Sequence, residues 1–160
     1  MVKIKDKNPY FLVLLFTLLL NSCNSDILFT DSVAMPDNTW DLSNIVHFSA
    51  PLNDTITPAD VSFTIRTGAY YPFRNIFLFV TTVAPDGNTI TDTLEYDLAD
   101  EKGNWSGKGF GDVHELSLPY KSNVFFPEGG IYDFRIQHGM RVVDLNGVYD
   151  LGIRIRKRKE

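Results

Sequence analysis

A single cysteine in 160 residues leaves no second thiol to bridge, so the chain is not a disulfide-stapled scaffold. Long apolar runs are missing too. The run FLVLLFTLLL at 11–20 reaches only about 15 Å as a helix, whereas the bilayer core takes about 20 residues to cross. The three histidines, His47, His114 and His138, have no second His or Cys two to four residues away, which argues against a zinc site. No G-x-S-x-G elbow supplies a nucleophile for them to activate. His114 and His138 read as edge or outward positions, and all three as structural or solvated. What is abundant is apolar and aromatic residues, 44% and 13% of the chain, enough for one globular core.

The first 22 residues differ in kind from the rest. A basic leader precedes the apolar run, and Asn21 and Ser22 then lead to Cys23, the outline of a signal peptide. Leu20-Asn21-Ser22-Cys23 resembles a bacterial lipobox, with Asn21 where Ala, Ser, Thr or Val is commoner. In that reading Cys23 carries acyl chains such as palmitate and becomes the first mature residue, anchored to the membrane without spanning it. Setting aside Lys3, Lys5, Lys7 and Asp6 leaves twelve basic and nineteen acidic residues of the original fifteen and twenty, a net charge of −7. Such a chain is a poor nucleic-acid binder.

From residue 39 the apolar residues recur every second position. Trp40 and Leu42, Val46 to Ala50, and Val61 to Ile65 read as half-buried strands. Asn75 to Val83 is apolar on both faces at its start, which suits a central strand. Pro85-Asp86-Gly87 then turns the chain into the alternating stretch Thr89 to Tyr96, forming a hairpin. Val113–Leu118, Ile131–His138 and Leu151–Arg156 follow, and Ile27–Val33 is a further candidate. About eight short strands without a helical apolar stripe predict an all-β fold, a single antiparallel sandwich of jelly-roll or immunoglobulin-like type, with a closed barrel as the alternative. The expected organisation is a signal peptide at 1–22, a lipidated tether at 23–26 and the domain at 27–160.

Four stretches carry possible chemistry. Asp97, Asp100, Glu101 and Asn104 cluster after a strand, but the spacing is not that of an EF-hand, and Asp and Asn also build turns. Gly103-Asn104-Trp105-Ser106-Gly107-Lys108-Gly109-Phe110-Gly111 lacks the helix and the Ser or Thr of a phosphate cradle, so its glycines read as bulges or places where a ring lies over backbone. Trp40, Trp105, Tyr70, Tyr71, Phe73 and Phe110 suit either a core or a sugar-stacking platform, with the core favoured in so small a domain. The tail Arg154 to Lys159 holds five basic residues, of which Arg156, Lys157, Arg158 and Lys159 form its outer part. That tail suits lipid phosphates, an acidic partner or a solvated strand end equally well.

Read together, several phrases resemble the gliding-motility lipoprotein GldH family of Bacteroidetes: Trp40 with Phe48; Arg66, then Tyr71-Pro72-Phe73-Arg74-Asn75; Asp97-Leu98-Ala99-Asp100; Gly103-Asn104-Trp105-Ser106-Gly107; and Met140-Arg141 with Leu145, Gly147 and Gly152-Ile153. The likeness spans about residues 23–157. Phe73 stands where the family's tyrosine is expected. The resemblance implies an outer-membrane lipoprotein that supports the gliding and type IX secretion apparatus, with no assigned catalytic activity, no catalytic residues and no cofactor. Tyr71, Phe73, Asn75, Asp100, Trp105 and Arg141 become the candidate contact residues, or else determinants of the fold. Expected partners are the membrane, through Cys23, and other gliding or secretion envelope lipoproteins. The competing reading is a carbohydrate-binding module facing a glycan. Only Asp26 supplies acidity just after Cys23, which points to the periplasmic side of the outer membrane.

Overall fold

The structure, a computed structural model, describes residues 26–158. Cys23 and Lys159 lie outside the described residues. The described chain forms eleven strands and one 3-10 turn at Pro36–Asn38, with no α-helix. The strands are β1 (Ile27–Ala34), β2 (Thr39–Asp41), β3 (Val46–Leu52), β4 (Ala59–Gly68), β5 (Asn75–Val83), β6 (Thr89–Asp97), β7 (Lys108–Phe110), β8 (Val113–Val124), β9 (Gly130–His138), β10 (Asp144–Asn146) and β11 (Val148–Lys157). They make three antiparallel sheets, ordered β1-β11-β4-β8-β7, β3-β9-β5-β6 and β10-β2.

The all-β, antiparallel expectation holds, but eleven strands in three sheets replace the single sandwich of about eight. The difference lies in the shortest elements. Strand β2 answers to the alternation of Trp40 and Leu42, whereas β7 and β10, three residues each, are too short to display one. Pairing alone makes them strands: Trp40 lies opposite Leu145, and both are fully buried.

The longer strands follow their pattern. In β3, Val46, Phe48, Ala50 and Leu52 are buried while His47, Ser49 and Pro51 are exposed. Pro51 has no amide hydrogen and is tolerated because β3 is an edge strand, paired only to β9. Strand β5 lies between β9 and β6, the interior place its apolar character implied. The β5–β6 hairpin closes as expected, with Gly87 at φ +89 and the Asp86 Oδ1 accepting the Asn88 amide at 2.9 Å. The inward faces of the five-stranded and four-stranded sheets share one core, with Phe63, Ile65, Leu151 and Ile153 from one and Phe48, Ile76, Leu78, Phe134 and Ile136 from the other.

Antiparallel pairing sorts the connections to two ends. The 53–58, 84–88 and 125–129 links, the start of β1 and the end of β11 gather at one end, the tether end. The 35–45, 69–74, 98–112 and 139–147 segments gather at the other.

Candidate functional site

Tyr71, Phe73, Asn75, Asp100, Trp105 and Arg141 all fall at the end opposite the tether. Tyr71 is 5% exposed, and its hydroxyl donates to the Asn75 carbonyl at 2.9 Å, closing the loop between them. Burial pushes its phenol well above the usual value. Its ring meets Phe73 and Trp105 edge-on, at centroid distances of 6.0 and 6.2 Å. Asn75 opens β5, and its amide donates to Glu95 Oε1 at 2.7 Å across to β6. The backbone of the next residue back supports the same unit, since the Arg74 carbonyl accepts the amides of Leu98 and Ala99.

Asp100 is a turn builder. Its Oδ1 accepts the amides of Lys102 and Asn104, both at 2.8 Å, and its Oδ2 accepts the Asn104 side chain at 2.9 Å. The Asn104 side-chain amide above all holds its carboxyl below the usual range. The carboxylate is therefore turned toward its own loop, and among the described residues no group of three His, Cys, Asp or Glu could hold a metal.

Trp105 is half-buried and bridges to Ala99. Its ring stacks on His114 at 5.0 Å with planes 14° apart. A Cβ at Gly109 would lie 2.8 Å from His114 Nδ1, so the ring that lies against a glycine here is His114, with Trp105 stacked on it. Gly147 makes another close approach: at φ +84 its Cα packs on Tyr71, where a Cβ would come within 2.8 Å of the Tyr71 backbone.

Arg141 differs from the other five. It is exposed, and among the described residues it makes no hydrogen bond or ion pair. It joins the group by lining a shallow depression of about 400 Å³ with Phe73, Phe77, Gly139, Met140 and Val142. The Met140 Sδ sits 3.4 Å from the Phe77 amide, and Phe79, 43% exposed, extends the apolar surface past Gly139.

Other expectations shift. His138 is not an outward position: it is fully buried, its ring 5.4 Å from Trp40 and neither nitrogen hydrogen-bonded among the described residues. Burial lowers its pKa. His47 is exposed, 3.9 Å from Asp133. Of the aromatics weighed as a sugar platform, Trp40 and Tyr71 are interior, while Tyr70 is 58% exposed. The basic tail is partly tied down, Lys157 to Asp54 at 2.9 Å and Arg158 to Asp60 at 3.3 Å, while Arg156 is exposed.

Two features carried no readable pattern. Arg66 binds Asp150, which is 6% exposed, across the β4–β11 pair. An apolar groove of about 300 Å³ at the tether end lies between Ile90, Tyr120, Phe125, Phe126 and Tyr132. Both assemble from strands far apart in sequence.

Comparison with known proteins agrees with the family resemblance. The chain is 35% identical over 153 residues to a gliding motility lipoprotein GldH homolog of Christiangramia forsetii, covering 91% of this chain and 93% of that one. It is 34% identical over 154 residues to the gliding motility lipoprotein GldH of Flavobacterium johnsoniae, covering 92% and 95%. Likeness to a solved chain of the T13 infectious bursal disease virus particle is loose, with a TM-score of 0.35 and 13% identity over 99% of this chain and 35% of that one. The GldH lipoprotein family profile matches residues 27–155, and the chain belongs to that family.

Proposed function

We propose that the protein is a non-catalytic, lipid-anchored component of the outer membrane, facing the periplasm, that acts as an assembly or interaction factor for the gliding and type IX secretion apparatus. The anchor is Cys23, the only thiol, placed directly after the export segment. The names of the relatives support gliding motility and lipidation. In this reading the five-stranded and four-stranded sheets are the two layers of a sandwich that holds a contact surface away from the anchor.

The observation that carries the reading is the depression at Phe73, Phe77 and Arg141. Tyr71 and Asp100 direct their polar groups at their own loops and Asn75 at the neighbouring strand, whereas Arg141 keeps an unengaged guanidinium beside apolar rings. Arginine next to exposed aromatics is a frequent composition at the centre of protein interfaces. Arg141→Glu should therefore abolish recovery of envelope partners in a pull-down while leaving the melting temperature unchanged. Recovery of the same partners at the same level would overturn this assignment. Fatty-acid labelling that persists in Cys23→Ala would overturn the anchor.

A further inference from the structure

The tether end has properties that the motif end lacks. Strand β1 pairs with β11, Ile27 opposite Arg156, and the Lys157 amide donates to the Asp26 carbonyl at 2.7 Å. The first described residue and the basic end of the chain are thus side by side. Only Asn24 and Ser25 separate Asp26 from Cys23, a reach of about 10 Å at full extension.

Apolar exposure concentrates at the same end. Nine large apolar residues stand exposed among the described residues, and five of them, Ile27, Ile56, Ile90, Phe125 and Ile131, lie on the strand ends and links gathered there. Ile56, at the tip of the 53–58 link, is 83% exposed. A polar partner would leave such side chains in water, whereas a membrane interface accepts them together with cations.

The cations are available. Arg154 and Arg156 project from the outer face of β11 and make no ion pair or side-chain hydrogen bond among the described residues. They line a depression of about 490 Å³ with Ile27, Asp60 and Arg158. Of the carboxylates nearby, Asp54 is engaged by Lys157 and Asp60 by Ser122, the Asn123 amide and Arg158, while Asp26 lines the same depression and Asp86, bonded to Asn88, lines the apolar groove. Glu128 stands at the rim of the apolar groove unmatched by a cation among the described residues, so attraction to a bilayer comes from the two arginines and not from the net charge.

We infer that this end docks on the phospholipid bilayer that holds the protein's own lipid, with Ile27, Ile56 and Phe125 entering the interfacial layer and Arg154 and Arg156 binding lipid phosphates. The inference rests on lipidation of Cys23. It orients the domain end-on, with the Arg141 depression directed away from the membrane.

The test uses the full, lipidated protein reconstituted in vesicles. Because Cys23 is the only native thiol, single cysteines placed at Ile56, Phe125 or Ile45 can be labelled with an environment-sensitive fluorophore and quenched by headgroup nitroxides. Ile45 is 44% exposed at the opposite end and serves as the reference. Ile56→Cys and Phe125→Cys should be quenched several-fold more than Ile45→Cys. Adding Arg154→Glu and Arg156→Glu should reduce that quenching on phosphatidylglycerol-containing vesicles. Equal quenching at all three positions, or no response to the reversals, overturns end-on docking. Failure of the anchor itself would be recognised separately, since an unlipidated Cys23 would take up the label in the unmodified protein.

Discussion

The two ends of this domain divide their polar groups in opposite ways. At the motif end, Tyr71, Asn75 and Asp100 direct their hydrogen bonds at nearby backbone or at the neighbouring strand, and Trp105 lies against His114. At the tether end, Arg154 and Arg156 have no such partners among the described residues, and the apolar side chains of Ile56 and Phe125 are exposed. The residues that make the family recognisable therefore mostly build the fold. The unengaged chemistry lies instead around the basic tail, and Arg141 is the exception at the motif end.

Substitutions at the two ends should separate accordingly. Gly147→Ala combines a strained positive φ with a Cβ driven against the Tyr71 backbone, and should cost about 3 kcal/mol or more. Ile56→Ser, at a tip that is 83% exposed, should change stability by no more than about 0.5 kcal/mol. Urea unfolding of both variants checks the contrast, and comparable losses would break it. Trp105→Ala falls between them. A fully buried tryptophan would cost about 3–5 kcal/mol, but Trp105 is only half-buried, so about 2 kcal/mol is expected.

Acid acts on the motif end first. His138 is buried and its folded pKa lies below the ordinary 6.5, so the unfolded chain binds the proton more readily. Stability contributed by the neutral ring is complete above about pH 6.5 and declines as pH falls below it. The depressed carboxyls of Asp41, Asp60 and Asp100 add a second decline only as pH falls below 3.8 toward their folded values. The melting temperature should fall between pH 7 and pH 5, and His138→Phe should flatten that segment of the profile. An unchanged slope in His138→Phe would assign the loss to another group.

Much of the sheet structure was legible because alternation reports burial directly, as in β3, β4, β5 and the end of β11. The hairpin at Pro85–Gly87 was legible from turn chemistry. His138 is an outward position only when the alternation of its strand is taken one residue out of phase, since β9 buries Tyr132, Phe134, Ile136 and His138. The site was legible only as a set of names. That Tyr71, Phe73 and Trp105 touch one another, and that Arg141 lies beside Phe73, depends on segments brought together by the pairing of the sheets. Nor does sequence reveal that Lys157 and Arg158 are engaged, because their partners Asp54 and Asp60 lie about a hundred residues earlier.

The smallest effect is expected on the outer face of the five-stranded sheet, where three arginines stand in contrasting situations. Arg66 neutralises Asp150, and Glu115 lies near enough to raise its pKa slightly further. Its removal leaves a carboxylate that is 6% exposed without its cation, a loss of about 1–2 kcal/mol after allowing for the half-exposed guanidinium. Arg154 and Arg156 have no equivalent partner among the described residues, so the double reversal Arg154→Glu, Arg156→Glu should move stability by no more than about 0.5 kcal/mol. Urea midpoints at low and at 0.15 M salt separate the two cases. Exposed charges are screened beyond about 8 Å at the higher salt, so any penalty of the reversal should shrink there while the Arg66→Ala loss persists. A reversal as costly as Arg66→Ala would mean that Arg154 and Arg156 hold the sheet together, and the tether end would then be built like the motif end.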